Sequence, residues 1–179
     1  MQQLQHQVKA EKNPPGDSTT LREVVKSVRQ AEITEERNKT LRSKNIIIHG
    51  VPESNEDNQD QEFVTVFSND VHASVTIKQI TRLGKPTEGK NRPIKITLES
   101  EDEKFKLFGN LSALRGIDKY KGISVTEDLT QEERNQFKEL ASKAKTRNQE
   151  NPDSQHIWRV RGSSKNGYHL KKVRKSTNQ

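Results

Sequence analysis

Basic side chains are the residues of this sequence with the clearest chemical use. Arg37, Lys39, Arg42 and Lys44 crowd the segment that leads into three consecutive isoleucines. Residues 154–179 hold seven cations and no Asp or Glu: Arg159, Arg161, Lys165, Lys171, Lys172, Arg174 and Lys175. Since each neutralised phosphate releases condensed counterions, this asymmetry predicts a polyanionic partner, most simply nucleic acid. A tail that only improves solubility is the alternative.

Other side chains offer less chemistry. Tyr120, Trp158 and Tyr168 could stack on bases, although a place in the core of a hairpin is the favoured interpretation for Trp158. The sequence has no cysteine, and it contains no nucleotide-binding glycine loop, serine elbow or paired-histidine motif. We therefore expect no enzymatic activity, no cofactor, no metal and no small-molecule substrate.

The histidines and the acidic cluster have structural interpretations. His49 and His72 lack a second histidine or carboxylate at metal-ligand spacing, so we interpret them as residues at the ends of elements. The acidic cluster has no calcium-loop register and predicts a solvated loop that keeps RNA off one edge. Its members are Glu53, Glu56, Asp57 and Asp60.

The composition predicts small cores. Of 179 residues, 27% are hydrophobic, 4% aromatic and 32% charged, a balance typical of a solvated and partly disordered protein. We expect an intracellular protein without a membrane span, because no apolar run is long enough and the first residues lack the apolar core of a signal peptide.

The N-terminal region predicts a short coiled coil. Residues 1–17 are rich in glutamine and interrupted by two prolines, so they predict a disordered lead. A capping-box pattern, Thr20 with Glu23, predicts the start of a helix over 18–43. Its apolar residues are three and four positions apart, as in a coiled-coil seam: Leu21, Val24, Val28 and Ala31. The seam ends after about two heptads, and packing of this helix on its own domain is an equally good interpretation.

The middle of the chain, residues 44–126, predicts an α+β domain. Strands are expected at 45–49, 75–83, 94–98 and 122–125, because β-branched residues there alternate or cluster. Phe63, Val66, Phe67 and Val71 recur at helical spacing, and a second capping box, Ser100 with Glu103, opens another helix. The resulting order, strand-helix-strand-strand-helix-strand, is the ferredoxin-like βαββαβ order that the RNA-recognition motif uses.

Residues 127–179 predict a small second domain. Thr130 and Glu133 cap a helix with an apolar face made of Phe137, Leu140, Ala141 and Ala144. After Pro152, "HIWRVR" and "GYHLKK" flank a polar turn, which predicts a β-hairpin with one arginine-bearing face and a basic tail. On that hairpin Arg159, Arg161 and Lys171 are candidate nucleic-acid contacts.

The order of these parts resembles a known family. "NIIIHGVPES", "ITRLGK", "RPIKITLES" and "ISVTEDLTQEE" look like the RNA-binding protein encoded by the first open reading frame of LINE-type (non-LTR) retrotransposons. That resemblance implies a trimeric coiled coil, an RNA-recognition-type domain and a C-terminal domain that together clamp single-stranded RNA or DNA. It also implies a nucleic-acid chaperone in an intracellular ribonucleoprotein, cytoplasmic or nuclear. The family's coiled coil is longer, so we expect a truncated copy or weak oligomerisation here.

The resemblance also implies particular contacts with nucleic acid. It assigns phosphate contacts to Arg42, Lys44, Arg82, Arg92 and Arg115, and less directly to Lys121. Lys95 on the third strand is a further candidate, next to Thr97. Because Ile47 occupies the place where the first strand of an RNA-recognition motif has an aromatic, no base-stacking platform is expected on the sheet, and phosphate contacts carry little sequence information.

Two hypotheses remain open at this point. In the first, the chain binds single-stranded nucleic acid, and its cations line one continuous groove. In the second, it is a coiled-coil interaction module whose ferredoxin-like domain docks other proteins through an exposed apolar patch.

Overall fold

A computed structural model describes residues 18–53, 58–153 and 155–175 of the chain. The predicted disordered lead, residues 1–17, lies outside these ranges. The chain divides into two compact units, and the boundary in the sequence lies between Arg37 and Asn38. The first element, α1, spans Ser18–Arg42 and already includes Thr20, the residue that the capping pattern puts just before the helix. None of the helices in the described ranges is long and apolar enough to cross a membrane.

A four-stranded antiparallel sheet forms the centre of the second unit. Its strands are β1 (Asn45–His49), β2 (Ile77–Arg82), β3 (Ile94–Leu98) and β4 (Ser124–Glu127), in the spatial order β2-β3-β1-β4. The isoleucine-rich strand β1 is central and pairs with both β3 and β4. Its burial on both faces explains the continuous apolar run, since a strand with one wet face would alternate.

Two helices cover one face of this sheet, α2 (Gln59–Asp70) and α3 (Glu101–Asn110). Two 3-10 turns, Leu111–Leu114 and Asp118–Tyr120, follow α3. Alternate strand residues point into the core: Ile46, Ile48, Ile94, Ile96 and Leu98. They pack there with Val64 and Phe67 of α2 and Leu107 of α3. Val66 of α2 does not belong to this core. Its side chain is exposed and Val64 is buried instead, because Val64 lies three residues from Phe67 on the same helix face.

The isoleucine strand ends in a turn that requires glycine. Gly50 has φ +89°, and a Cβ at this position would overlap the carbonyl oxygen of Gly122. Glycine reaches this backbone conformation without the steric cost that other residues bear. The Gly-Val-Pro sequence after β1 therefore reflects a close approach between the β1 end and the segment before β4.

A helix and a hairpin complete the second unit. Helix α4 spans Gln131–Glu150, and strands β5 (His156–Ser163) and β6 (Gly167–Arg174) form an antiparallel pair. The capping box of Thr130 and Glu133 has both of its hydrogen bonds. Ser100 accepts from the Glu103 amide as predicted, but the Glu103 carboxylate accepts from the amides of Thr76 and Glu99. The structure is therefore mixed α+β, with the sheet and the hairpin in one compact unit.

Candidate nucleic-acid interface

The face of the sheet that is turned away from α2 and α3 forms the floor of a cleft, here called the sheet cleft. Asn45, Ile47 and His49 of β1 lie on this floor, beside Lys95 and Thr97 of β3. Ile47 is only 6% exposed and lies opposite Lys95 in the register. The floor is therefore aliphatic at its centre and polar around it.

The walls of the sheet cleft come from elements that precede and follow the four sheet strands in the chain. Arg42 at the end of α1, Phe137 on α4, and Gly162 with Tyr168 on the hairpin all line it. The volume of the cleft is about 1140 Å³. Small-molecule pockets range from about 300 to 1,000 Å³, so the cleft is slightly larger than that range.

Asp128 ties the end of α1 to the floor of the sheet cleft. Its Oδ1 accepts from the guanidinium of Arg42 at 2.7 Å, and its Oδ2 accepts from the side-chain amide of Asn45 at 2.9 Å. Asn45 in turn accepts from the Thr97 hydroxyl at 2.9 Å. The predicted phosphate contact Arg42 thus lines the cleft, but a carboxylate already balances its charge.

A second network joins α3 and β4 to the hairpin turn. The Lys104 ammonium lies 3.1 Å from Glu127 Oε2, and Ser164 donates to the same carboxylate from both its hydroxyl and its amide. Tyr168 donates its hydroxyl to Glu127 Oε1 at 3.0 Å. Burial acts to raise the pKa of Glu127, but the hydrogen bonds from Ser164 and Lys104 prevail and lower it. Burial and the neighbouring Glu127 charge raise the pKa of the Tyr168 hydroxyl.

Four basic residues share the exposed face of the hairpin. Arg159 lies directly opposite Lys171, and Arg161 lies directly opposite His169. All four are exposed, and we call them the basic hairpin face. Side chains in directly opposed positions share one side of a strand pair, where like charges destabilise the pairing. In the described ranges no acidic side chain pairs with Arg159, Arg161 or Lys171.

Two arginines that were predicted to contact phosphate are engaged by groups of the protein itself. The Arg82 side chain is 8% exposed, and its guanidinium donates to Asp60 and to the carbonyls of Val51, Pro52 and Arg92. Arg92 makes two side-chain bonds to Glu53, at 2.8 and 3.1 Å.

The phosphate contacts of Arg82 and Arg92 therefore stay a prediction, and in the structure carboxylates engage both side chains. Arg82 is engaged by protein groups and joins the segment after β1 to the end of β2. Glu53 and Asp60, which were expected to be solvated, are the partners of these arginines. Glu56 and Asp57 lie outside the described residues.

Three further candidates lie together, away from the sheet cleft. Arg115, Lys121 and Tyr120 line a separate pocket of about 320 Å³ beside β4. The expected stacking role of Tyr120 is wrong, because this residue belongs to the core and its hydroxyl donates to Asp70 at 2.7 Å. Lys121 pairs with Asp118 at 2.8 Å.

The remaining candidates lie on α1 and at the start of β1. Arg37 is exposed in the first unit, and Lys39 is half-buried in the second. Lys44 is exposed, and its charge contributes, after that of Lys78, to lowering the pKa of Glu99. The predicted cations therefore do not all line one continuous groove. Arg82 and Arg92 are bound by Asp60 and Glu53, and Arg115 lies at another pocket.

Sequence reasoning missed three residues of these surfaces. Phe137 was predicted only as part of an apolar helix face, and it lines the sheet cleft with an exposed ring. Arg134 is one helical turn earlier and lines the same cleft. His169 completes the basic hairpin face. The strand register of the hairpin, counted outward from the "SSKN" turn, would have found His169 opposite Arg161.

Comparison of the sequence with protein-family models finds no match. Comparison with curated proteins finds no similar sequence.

Proposed function

We propose that this protein binds single-stranded nucleic acid, RNA in the first place, mainly through its phosphates. The observation that carries the proposal is the basic hairpin face. Arg159 lies directly opposite Lys171 there, and two like charges in opposed positions cost stability in the free protein. A phosphate chain along this face would remove that repulsion and release counterions.

The sheet cleft supports the same proposal. Lys95 on its floor and Arg134 on its wall have no acidic partner within the described ranges. Residues of β1, β3, β4 and α4 line the cleft. Phosphate contacts from scattered lysines and arginines carry little sequence information. Binding should therefore be tight at low salt and nearly independent of base sequence.

We further propose a ferredoxin-like domain of the RNA-recognition type in a LINE-type retrotransposon protein. The strand order β2-β3-β1-β4 with two helices on one face supports the domain assignment, since this order follows from a βαββαβ chain with two split crossovers. The retrotransposon assignment rests on the resemblance of the "NIIIHGVPES" and "ISVTEDLTQEE" segments. It implies that the protein coats its own transcript as a chaperone, in a cytoplasmic or nuclear ribonucleoprotein.

Self-association through α1 is the second part of the proposal. Leu21, Val24 and Val28 are 67%, 56% and 50% exposed along this helix, and they repeat at the spacing of a coiled-coil seam. The family resemblance implies a trimer. An exposed seam also fits a module that associates with other proteins, and the mass of the purified protein distinguishes these two states.

A clustered charge-removal variant tests the binding proposal. Arg159, Arg161 and Lys171 are each changed to Gln, and binding of a fluorescein-labelled 30-nucleotide RNA is followed by fluorescence anisotropy. The matched control changes Lys85, Lys106 and Lys143 to Gln, because these exposed cations lie apart, in the loop between β2 and β3, on α3 and on α4. We expect the clustered variant to lose at least about tenfold in affinity, roughly 1.4 kcal/mol, and the control to lose far less. Equal losses would contradict a binding surface on the hairpin.

A further inference from the structure

Phe137 is the aromatic residue with the greatest solvent exposure in the described ranges. All eight aromatic residues, five Phe, one Trp and two Tyr, lie in the described ranges. Of these, Phe137 alone is exposed, with 38% of its surface accessible. This ring lies at the wall of the sheet cleft, and aromatic side chains are typical lining residues of binding clefts.

The ring of Phe137 is held in place by its neighbour. Tyr168 packs against it at 5.3 Å between ring centroids, with the two ring planes at 88°. Tyr168 is itself fixed, because its hydroxyl donates to Glu127 and Glu127 is paired with the buried Lys104. A ring that is already positioned loses little entropy when a ligand stacks on it.

Cations lie on the same cleft as this ring. Arg134, three residues earlier on α4, donates to the carbonyl of Leu129 at 2.7 Å and to Gln131 Oε1 at 3.1 Å. Both acceptors are neutral, so the positive charge of Arg134 is not balanced by these contacts. Lys95 on the floor adds a second cation. A flat apolar surface with cations nearby matches a nucleotide, which has a flat base and an anionic phosphate.

We infer that Phe137 is a stacking surface for an unpaired base of the nucleic acid bound in the sheet cleft. This inference rests on the proposed function and adds a base contact to a surface that otherwise contacts phosphates. It transfers the stacking role from the sheet, where Ile47 replaces an aromatic, to the wall supplied by α4. Stacking of this kind tolerates all four bases, so it strengthens binding without adding sequence preference.

The test separates base contacts from phosphate contacts. Full-length wild-type protein and Phe137→Leu are titrated with two labelled ten-residue strands, oligothymidine and a strand of abasic tetrahydrofuran units with the same phosphates. Leucine keeps an apolar side chain on α4 but removes the aromatic face. Val66→Ala on α2 is the control for loss of an exposed apolar group, and circular dichroism confirms that each variant is folded.

We expect wild type and Val66→Ala to prefer oligothymidine by about tenfold. Phe137→Leu should lose most of that preference and bind the abasic strand as wild type does. An unchanged preference in Phe137→Leu, or no preference in wild type while both strands bind, overturns the role of Phe137 and leaves phosphate binding intact. Failure of wild type to bind either strand overturns the proposed function and this inference together.

Discussion

The ammonium nitrogen of Lys104 lies 3.1 Å from a carboxylate oxygen of Glu127, and the lysine side chain is 1% exposed. This ion pair joins α3 to β4, and through Ser164 it also reaches the turn of the hairpin. A buried lysine is rare unless a carboxylate accompanies it. The pair therefore fixes where the hairpin lies relative to the sheet, and with it the geometry of the sheet cleft.

Removal of one partner of this pair should destabilise the protein strongly. Lys104→Met leaves the Glu127 carboxylate without its counter-ion in a largely buried place, so we expect a loss of about 3 kcal/mol in the free energy of unfolding. Urea denaturation followed by circular dichroism measures the change. The double variant Lys104→Met with Glu127→Gln should recover part of the loss, since it leaves no unpaired charge.

The control for this experiment is an exposed ion pair on the same sheet. Lys78 and Glu99 are paired with side chains that are 56% and 51% exposed, and such pairs contribute about 1 kcal/mol or less. Lys78→Met should therefore change stability little. Similar losses in Lys104→Met and Lys78→Met would mean that the buried pair does not hold the hairpin.

The pairing of Glu53 with Arg92 should be visible in an acid titration. Hydrogen bonds from the Arg92 side chain and from its backbone amide lower the pKa of Glu53 from about 4.5 to about 2. Because the folded pKa is depressed, the pair stabilises the fold at and above the ordinary pKa, and this contribution is lost as the pH falls towards 2.

Side-chain carboxyl chemical shifts of Glu53, followed by NMR against pH, measure this directly. Arg92→Ala should bring the midpoint back up towards 4.5, whereas Lys85→Ala, in the loop between β2 and β3, should leave it low. A wild-type midpoint near 4.5 would show that the Glu53–Arg92 contact does not persist in solution, and Arg92 would again be a candidate for phosphate contact.

The sequence predicted the elements well because its local signals were strong. The isoleucines of β1, the alternation of β3 and the Thr130 capping box each depend on residues close together in the chain, and the structure has all three elements. The recurrence of Val66 with three other apolar residues at helical spacing does not by itself separate buried from exposed positions. Only the contact with the sheet decides that Val64, and not Val66, is covered.

The candidate site was harder to predict because it depends on distant partners. The residues that engage Arg82 and Arg92 include Asp60 and Glu53, which are 22 and 39 positions away in the chain, and no local pattern reveals such pairs. Tyr120 was a candidate for stacking because its packing against Phe63 and Phe67 of α2 depends on residues more than 50 positions earlier in the chain. The hairpin cations were predictable, because strand alternation alone puts Arg159 and Arg161 on one side.

Helix α1 should mediate a concentration-dependent association. Because its exposed seam covers about two heptads, it should give a weak oligomer. Val28→Glu puts a charge into the seam and should leave only monomer, whereas Gln30→Glu adds the same charge outside the seam and should not. Sedimentation equilibrium over a range of protein concentrations measures the mass. Wild-type protein that stays monomeric throughout would contradict self-association through α1.

The most direct test of the central claim is the salt dependence of RNA binding. About five phosphate contacts predict a slope of about −3.5 in a plot of log affinity against log salt for a single strand. The cations counted are Lys95, Arg134, Arg159, Arg161 and Lys171. Replacement of Arg159, Arg161 and Lys171 by Gln should reduce the slope to about −1.4, because about 0.7 is lost with each contact. A wild-type slope near zero, or an equal slope in the triple variant, would contradict a phosphate-binding hairpin.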